Sequence, residues 1–518
     1  VTAQRREQAL QDVPIAIQVV GNDLLNDVAA EDMGDLNGFV PGLVVSSDSP
    51  TQPKYQIRGV QTSDFGVGTD SAVGVYVDGV YSARSGSSLL AFNDIERIEV
   101  LKGPQGTLFG RNSAAGAVSI VTRQPADEFD GLVRLRLGEN NKRRIDGMVN
   151  VPLSDAVALR VNGVWNQSDG WVQDAATGKD LWPEENWAMR AALKWDITDE
   201  TSATLTWDHD QIDQLARPAI GLVALGPSDT TVPFPPDPAT YLDPLKAPVY
   251  NDVVGNEESR KLDAATLFID HAFSWSDFRS TTAWRTFETV NREDEDGTNR
   301  IALYFDTANI EDNTSFYQEF KFSGQSDAVD WVAGVSYYSE DAKQASDTHA
   351  FTDSIDTVLR NLGLVGTPDG TLFGFTSDVL AAYQIPLTMR GLPWREVMNN
   401  EGTFEATALF GDVIWHATDR MNVTFGLRYT HDEKEFSWLN GPRQAPELDA
   451  TVAALEAGGF FADPAWPIPP EAYNFDVVFA FPPINGQEIE GQKVKLQDSW
   501  DDISPRLVID YRVTPDVM

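Results

Sequence analysis

The residues best placed to do chemistry lie in Ile95–Pro125, IERIEVLKGPQGTLFGRNSAAGAVSIVTRQP, where a glycine-rich turn separates two β-branched runs. Such turns cradle phosphates when they read G-x-x-x-x-G-K-[ST] between a strand and a helix. Here Gly110 is followed by Arg111 and Asn112, and Gln105 stands five residues before it. The spacing fails, the lysine is missing, and no G-x-G-x-x-G replaces it. The run after the turn, AAGAVSIVTR, reads as a strand, so no helix dipole faces the glycines. Gly103, Gly106, Gly110 and Gly116 therefore read as a structural corner, where tight turning and close backbone approach are needed.

No catalytic constellation replaces the phosphate reading. His209, His271, His349, His416 and His431 are scattered, with no H-E-x-x-H and no G-x-S-x-G elbow. Cysteine is absent, which removes disulfides, thiolate metal sites and cysteine nucleophiles. The run REDEDGTN at 292–299 is dense in hard oxygen donors, as calcium requires. It lacks the full D-x-D-x-D-G-x₅-E pattern and reads first as a solvated acidic loop. No catalytic residue, metal ligand or cofactor is assigned. With 79 carboxylates, counting alone does not exclude a pair of glycosidase acids.

The charge is lopsided. Net charge is −40 over 518 residues. Residues 1–124 carry 14 acids and 9 bases, against 65 and 30 in the remainder. A surface so acidic repels nucleic acid and disfavours a polyanionic partner. No apolar stretch reaches the roughly 18–20 residues of a membrane helix, a criterion that says nothing about a membrane β-barrel.

The elements that position these residues divide the chain. Residues 1–124 read as a small α+β domain. VPIAIQVV, PKYQIRGV, VGVYVDGVY, IERIEVL and GAVSIVTR are strand-like, and Asn22–Phe39 carries apolar residues at helical spacing. Beyond it, strict alternation recurs. In Met421–Thr430, Met, Val, Phe, Leu and Tyr alternate with Asn, Thr, Gly, Arg and Thr. Val157–Trp165, Thr201–His209 and Arg506–Val513 behave similarly, the period-two signature of antiparallel strands. Short turns (LSDA 153–156, ITDE 197–200, WSDF 275–278, QSDA 325–328, ATDR 417–420, VTPD 513–516) alternate with long connections (169–186, 213–260, 291–312, 344–402, 436–500). A sandwich has no reason to keep its long loops at one end, whereas a membrane barrel has tight periplasmic turns and long outer loops. Trp165, Trp187, Trp195, Trp207, Trp331, Tyr337, Trp415 and Tyr429 suit interfacial girdles. Trp171 and Trp182 fall in a loop, and the VPFPPDP run reads as a stiff extended segment. About 12 strands fit residues 131–513 on this template.

IERIEVLKGPQGTLFGRNSAAGAVSIVTRQP, with YQIRGV, VGVYVDGVY and REQALQDVPIAIQVV upstream, resembles the plug domain of TonB-dependent outer-membrane receptors. The resemblance continues more loosely into GLRYTHDEKEF and SPRLVIDYRVTPDV. It implies an α+β plug at 1–124 followed, at 125–518, by antiparallel transmembrane β-barrel strands, roughly half of a 22-strand barrel. The chain is accordingly expected to be a fragment lacking the last strands. The family implies TonB as energy-coupling partner, outer-membrane lipid and lipopolysaccharide as surroundings, and a scarce small-molecule ligand such as a ferric siderophore, taken up by a monomer. Cobalamin, oligosaccharides or other small molecules are the alternatives within the family. Of the box that TonB grasps, Val1, Thr2 and Ala3 would be what remains. By the same resemblance, Arg58, Lys102, Glu99 and Glu319 form a plug–barrel charge latch, and Asp64, Phe65, Tyr81 and Arg84 lie on apical loops that touch substrate. Two rivals are a passive porin-like barrel, which predicts no folded plug, and a secreted β-rich hydrolase, which predicts a soluble fold with two carboxylates converging in a cleft.

Overall fold

A computed structural model describes residues 1, 5–6, 8–221, 243, 245–479 and 491–513. The VPFPPDP run and residues 514–516 of the last expected turn lie outside them.

The first domain is built on β1 (Ile17–Gly21), α1 (Asn22–Asp27), β2 (Leu43–Ser46), β3 (Lys54–Ile57), β4 (Val60–Gln61), β5 (Val73–Val77), β6 (Val80–Ser82), β7 (Ile95–Lys102), α2 (Gly106–Phe109) and β8 (Gly116–Thr122). Five strands form one sheet in the order β1-β7-β8-β5-β6, and β2-β3-β4 form a second. Val20, Leu36, Ile57, Ile98, Val100 and Val118 are in its core. The β5–β6 hairpin turns at Asp78-Gly79, both with positive φ, as a two-residue Asp-Gly hairpin requires. The corner after β7 contains a single helical turn, α2, that the sequence pattern did not suggest. Two glycines there are obligatory. A Cβ on Gly116 (φ +154°) would lie 2.2 Å from the Leu101 carbonyl oxygen, and one on Gly110 (φ +85°) 2.7 Å from the Arg428 guanidinium.

The second part is a single 12-stranded antiparallel meander. Its strands are β9 (Asp130–Leu137), β10 (Arg143–Ser154), β11 (Val157–Ser168), β14 (Glu184–Asp196), β15 (Thr201–Gln214), β16 (Glu257–Ala272), β17 (Asp277–Asp294), β18 (Phe305–Gln325), β19 (Val329–Phe351), β20 (Pro393–Thr418), β21 (Met421–Asn440) and β22 (Val494–Tyr511). A small ribbon, β12 (Val172–Gln173) with β13 (Asp180–Leu181), decorates the β11–β14 connection. After the first hairpin, whose turn at 138–142 is short, the short turns lie at one rim and the long connections at the other. Strands run from 8 to 26 residues, and all but β9 are longer than the roughly ten needed to cross a bilayer. Pairing continues past the membrane because each added residue still satisfies its backbone groups.

The alternation is inside-out relative to a soluble protein. On β21, Phe425, Leu427 and Tyr429 are 58%, 54% and 43% exposed, while Thr424, Arg428 and Thr430 are buried. On β11, Trp165 is exposed and Arg160, Asn162 and Asn166 are buried. Polar side chains face the first domain, and apolar ones face out. Aromatics mark two levels on that outer face. Trp195, Trp275 and Trp415 are exposed near the short turns, and Trp165, Trp187 (its cross-strand partner) and Tyr429 are exposed further along. Eight residues separate Trp187 from Trp195, about 26 Å along a strand and about 20 Å after tilt, close to the apolar band of outer-membrane barrels.

Two of the long connections are not plain loops. The 352–392 segment forms α3 (Thr352–Asn361) and α4 (Phe373–Ala382), and the 441–493 segment forms α5 (Pro446–Ala457). They share an apolar core of Ile355, Leu359, Phe373, Leu380, Leu448 and Tyr473. The buried Asp356 carboxylate accepts the Leu372, Phe373 and Gly374 amides at the start of α4.

An outward Leu427→Arg substitution is expected to destabilise the wall by about 2–4 kcal/mol when folded into lipid vesicles, because it puts a charge in the apolar band. Equilibrium urea unfolding in vesicles measures this. A neutral result would remove Leu427 from the membrane.

Candidate functional site

The candidate site is the interface between the first domain and the concave polar face of the wall. It is built from charged side chains, and their polarity changes around the wall. From β9 to β16 the wall supplies cations. Arg160 on β11 reaches Asp94 with its Nη2 2.7 Å from Oδ1, and Arg190 on β14 reaches Asp78 Oδ2 at 2.7 Å. Lys142 and Arg144, at and after the first hairpin, take Glu31 at 2.9 and 3.3 Å. Arg260 on β16 donates to the Pro50 and Gly86 carbonyls while its Nη2 holds Asp210 at 2.6 Å. From β18 to β21 the first domain supplies cations. Arg5 meets Glu319 on β18 at 3.2 Å, Arg84 meets Glu340 on β19, and Arg6 meets Asp412 on β20. Arg111 sits between Asp70 and Asp432 on β21, at 3.6 and 3.8 Å. Lys434 on β21, paired with Asp70, departs from the rule. Glu258 on β16 accepts from the Ser49 hydroxyl and from the Thr51 amide and hydroxyl at 2.8–3.1 Å.

Local structure explains why these acids point outward. Asp78 and Asp94 both have positive φ, so each sits on a sharp turn that projects toward the wall. Asp78 also accepts from the Thr122 amide and hydroxyl, which fixes its carboxylate for Arg190. Arg84 is 8% exposed, with its guanidinium carbon 4.6 Å from the Phe404 ring centre, and Tyr338 donates to the far oxygen of Glu340 at 2.7 Å. A buried pair of this kind is held by its hydrogen bonds as much as by its charges.

The residues singled out from the sequence are placed differently. Lys102 donates to Gln18 at 3.2 Å, and its amine is held below the usual lysine range by burial and then by Arg58. Arg58 is exposed, with positive φ, beside Gly103. Glu99 is fully buried and accepts from Arg97, within its own domain. Glu319 does take an arginine of the first domain, but it is Arg5. Among the described residues Arg58 and Lys102 form no ion pair with the wall, and Glu99 takes Arg97. Arg58 and Lys102 lie near one another at the edge of the first domain, and strand alternation cannot reveal such tertiary placement. Tyr81 is buried against Tyr76 and Tyr338 and accepts from Asn112 at 2.6 Å. Tyr81 and Arg84 are thus in the interface rather than on an open apex. Asp64 and Phe65 are exposed at the long-loop rim, where Asp64 accepts the Gly66 amide at 2.8 Å. Val1 folds back on Gln8 with its amine 2.9 Å from the carbonyl, and Thr2 and Ala3 lie outside the described residues. The arginines missed from the sequence carried one usable signal: Arg160, Arg190, Arg260 and Arg428 all fall on the polar phase of their strands.

Toward the long-loop rim, a cavity of about 520 Å³ opens between the two parts. Asp32, Asp35 and Asp48 line one side, and Trp171, Trp182 and Glu184 the other, with the two indole rings 5.3 Å apart. Burial, then Asp35, push the Asp32 carboxyl up to about 6.

A wall with an apolar exterior, two aromatic levels and a charged interior filled by a folded domain defines the class: a plugged outer-membrane β-barrel. Comparisons with known proteins agree with this class. Residues 9–117 match the TonB-dependent receptor plug domain. The ferrioxamine B receptor of Salmonella typhimurium is 28% identical over 200 residues, 38% of this chain and 27% of that protein. The vitamin B12 transporter BtuB of Vibrio vulnificus is 27% identical over 216 residues, 40% of this chain and 34% of that one. In fold, the ferric yersiniabactin uptake receptor FyuA from Yersinia pestis superposes with a TM-score of 0.67 at 18% identity, covering 97% of this chain and 62% of that one. The E. coli ferric-catecholate import receptor Fiu, in its open form, gives 0.63 at 15%, covering 98% and 68%. The chain thus carries a TonB-dependent receptor plug domain at residues 9–117 and shares the fold of solved outer-membrane receptors, and its match spans about a quarter to a third of those curated relatives.

Arg84→Ala is expected to cost about 3–5 kcal/mol, because Glu340 is left buried and unpaired, whereas Arg84→Ala with Glu340→Gln should recover much of that. Urea midpoints of the two variants test this. The raised Asp32 carboxyl binds its proton more tightly when folded. Its contribution is full below about pH 4 and is lost as pH rises through about 6. Asp32→Asn should flatten the pH dependence of plug stability in that window, read by hydrogen exchange in the 29–48 segment.

Proposed function

We propose that this chain is the plug and the first part of the wall of an energy-coupled importer, with the domain boundary at residues 124/125. One observation carries the reading: a folded domain fills the polar face and is held there largely by ion pairs and side-chain hydrogen bonds. An apolar interface of that size would lock the plug permanently. Charged pairs exchange for water as the plug moves, at a modest net cost per pair. A passive porin has no use for such a domain. A soluble hydrolase would not turn its aromatic face outward.

The N-terminal residues suit TonB coupling. A pull transmitted through residues 1–6 loads Arg5–Glu319 and Arg6–Asp412 first. Those two pairs lie at the start of the chain and join it to β18 and β20. The latch in this reading is Arg5, Arg6, Arg84 and Arg111 with their wall acids, together with Arg160–Asp94 and Arg190–Asp78. Asp64 and Phe65 remain the apical substrate contacts.

For the cargo we favour a ferric siderophore, since the ferrioxamine B and FyuA relatives carry such ligands in their names. Cobalamin, after the BtuB relative, or an oligosaccharide is the alternative. The 520 Å³ cavity, with its paired indoles and carboxylates, suits a ligand with rings and hydroxyl or amine donors better than a bare polyanion.

Cells carrying the full-length receptor should accumulate a labelled ferric siderophore only when TonB is present. Arg5→Ala with Arg6→Ala should alter uptake at least several-fold while leaving ligand binding to whole cells unchanged. Uptake independent of TonB would overturn the importer reading. Uptake of labelled cobalamin in place of every siderophore offered would move the cargo to the alternative.

A further inference from the structure

The acidic run at the end of β17 is only partly solvated: Glu295 is exposed, but Asp294 is buried. Asp294, its side chain 4% exposed, closes β17, and Asp296 follows in the β17–β18 connection. Asp252, from the separate β15–β16 connection, meets them: one carboxylate oxygen of each lies within 4.8 Å of the others. Asp294 Oδ1 accepts the Asp296 and Gly297 amides at 3.0 and 3.1 Å. Asp296 is held by Thr298 and by the Phe305 amide. These bonds fix the carboxylates without neutralising them.

Asp294 Oδ2 and Asp252 Oδ1 are both buried, and neither accepts a hydrogen bond among the described residues. Orphaned buried carboxylate oxygens facing like charges are costly, and they mark a cation position. The neighbouring arginines are committed elsewhere. Arg292 holds Asp306 and Asp347, and Arg217 holds Asp48 and Glu293. The donors are all oxygen, with no thiolate and no imidazole in the group. That set selects a hard cation and disfavours zinc. The three carboxylates come from two connections and leave the rest of a coordination sphere to main-chain carbonyls or water, which suits the flexible six- to eight-fold shell of calcium.

We propose that Asp252, Asp294 and Asp296 bind one calcium ion outside the membrane and so clasp the β15–β16 connection to the β17–β18 connection. The two connections already touch: a Cβ on Gly297 would lie 2.6 Å from the Gly221 amide nitrogen. The first of them is anchored in turn to the β12–β13 ribbon, where Asp174 accepts the Asn251 amide at 2.9 Å. One ion would therefore brace three connections on the outer side. The proposal does not depend on what the receptor imports.

The test is calorimetric titration of calcium chloride into the full-length receptor in detergent, after stripping with chelator. One ion per chain is expected, with affinity in the range of extracellular calcium modules, Kd about 10⁻⁴–10⁻³ M or tighter. Asp294→Asn and Asp252→Asn should each weaken binding at least tenfold. Hydrogen exchange in 245–256 and in 295–304 should slow with calcium in the parent and not in either variant. If Asp294→Asn fails to fold, Asp252→Asn, which lies outside the strands, carries the test alone. No binding by the parent, parent-like binding by Asp252→Asn, or equal affinity for magnesium would each overturn the assignment.

Discussion

The structure depends on charge held between two surfaces that both face away from lipid. A membrane wall must turn its apolar side chains outward, so its concave side receives the polar ones. A domain seated there needs a polar exterior of its own. Arginines and carboxylates on facing surfaces are then deprived of water and must find one another. Desolvating a lone ion costs several kcal/mol, so each partner is needed by the other.

The polarity of those pairs differs from one side of the wall to the other. Acids of the plug meet arginines on β11 and β14, and arginines of the plug meet acids on β18, β19 and β20. A plug rotated within the lumen would bring like charges together. The pairs thus specify a seating as well as hold it, which apolar packing alone would do weakly. Apolar contacts also cross the interface: Tyr76, Tyr81, Leu108 and Phe109 cluster with Val332, Tyr338 and Phe410 beside Arg5 and Arg111, and Leu90 packs on Leu262 and Phe287.

Beyond the membrane the described parts of the long connections pack against one another. Two of them share an apolar core around Phe373 and Tyr473, and three others converge near Asp174, Asp252 and Asp294. The outer rim therefore has its own tertiary structure, which sets the shape of the entrance above Asp64, Phe65 and the indole pair. Side-chain periodicity carries no trace of this, because the contacts join segments that are far apart in the chain.

The sequence by itself determined the wall. Period-two alternation, short turns with Asp and long connections on the opposite rim come from local rules of strand geometry, so Met421–Thr430 read correctly in isolation. It also determined the plug strands and the failure of the glycine corner as a phosphate loop. Which charges meet was decided only by the tertiary structure. Lys102 and Arg58 looked like latches because they are basic and near strand ends, yet they stay within the plug's own edge. Arg84 looked like a substrate contact because it sits among glycine and serine, yet Glu340 buries it. Pairing depends on the azimuth of the plug within the wall, a quantity that no local pattern encodes. The acids of REDEDGTN obeyed the same logic. They read as solvated in the sequence, whereas the fold brings Asp252 of the β15–β16 connection against Asp294 and Asp296.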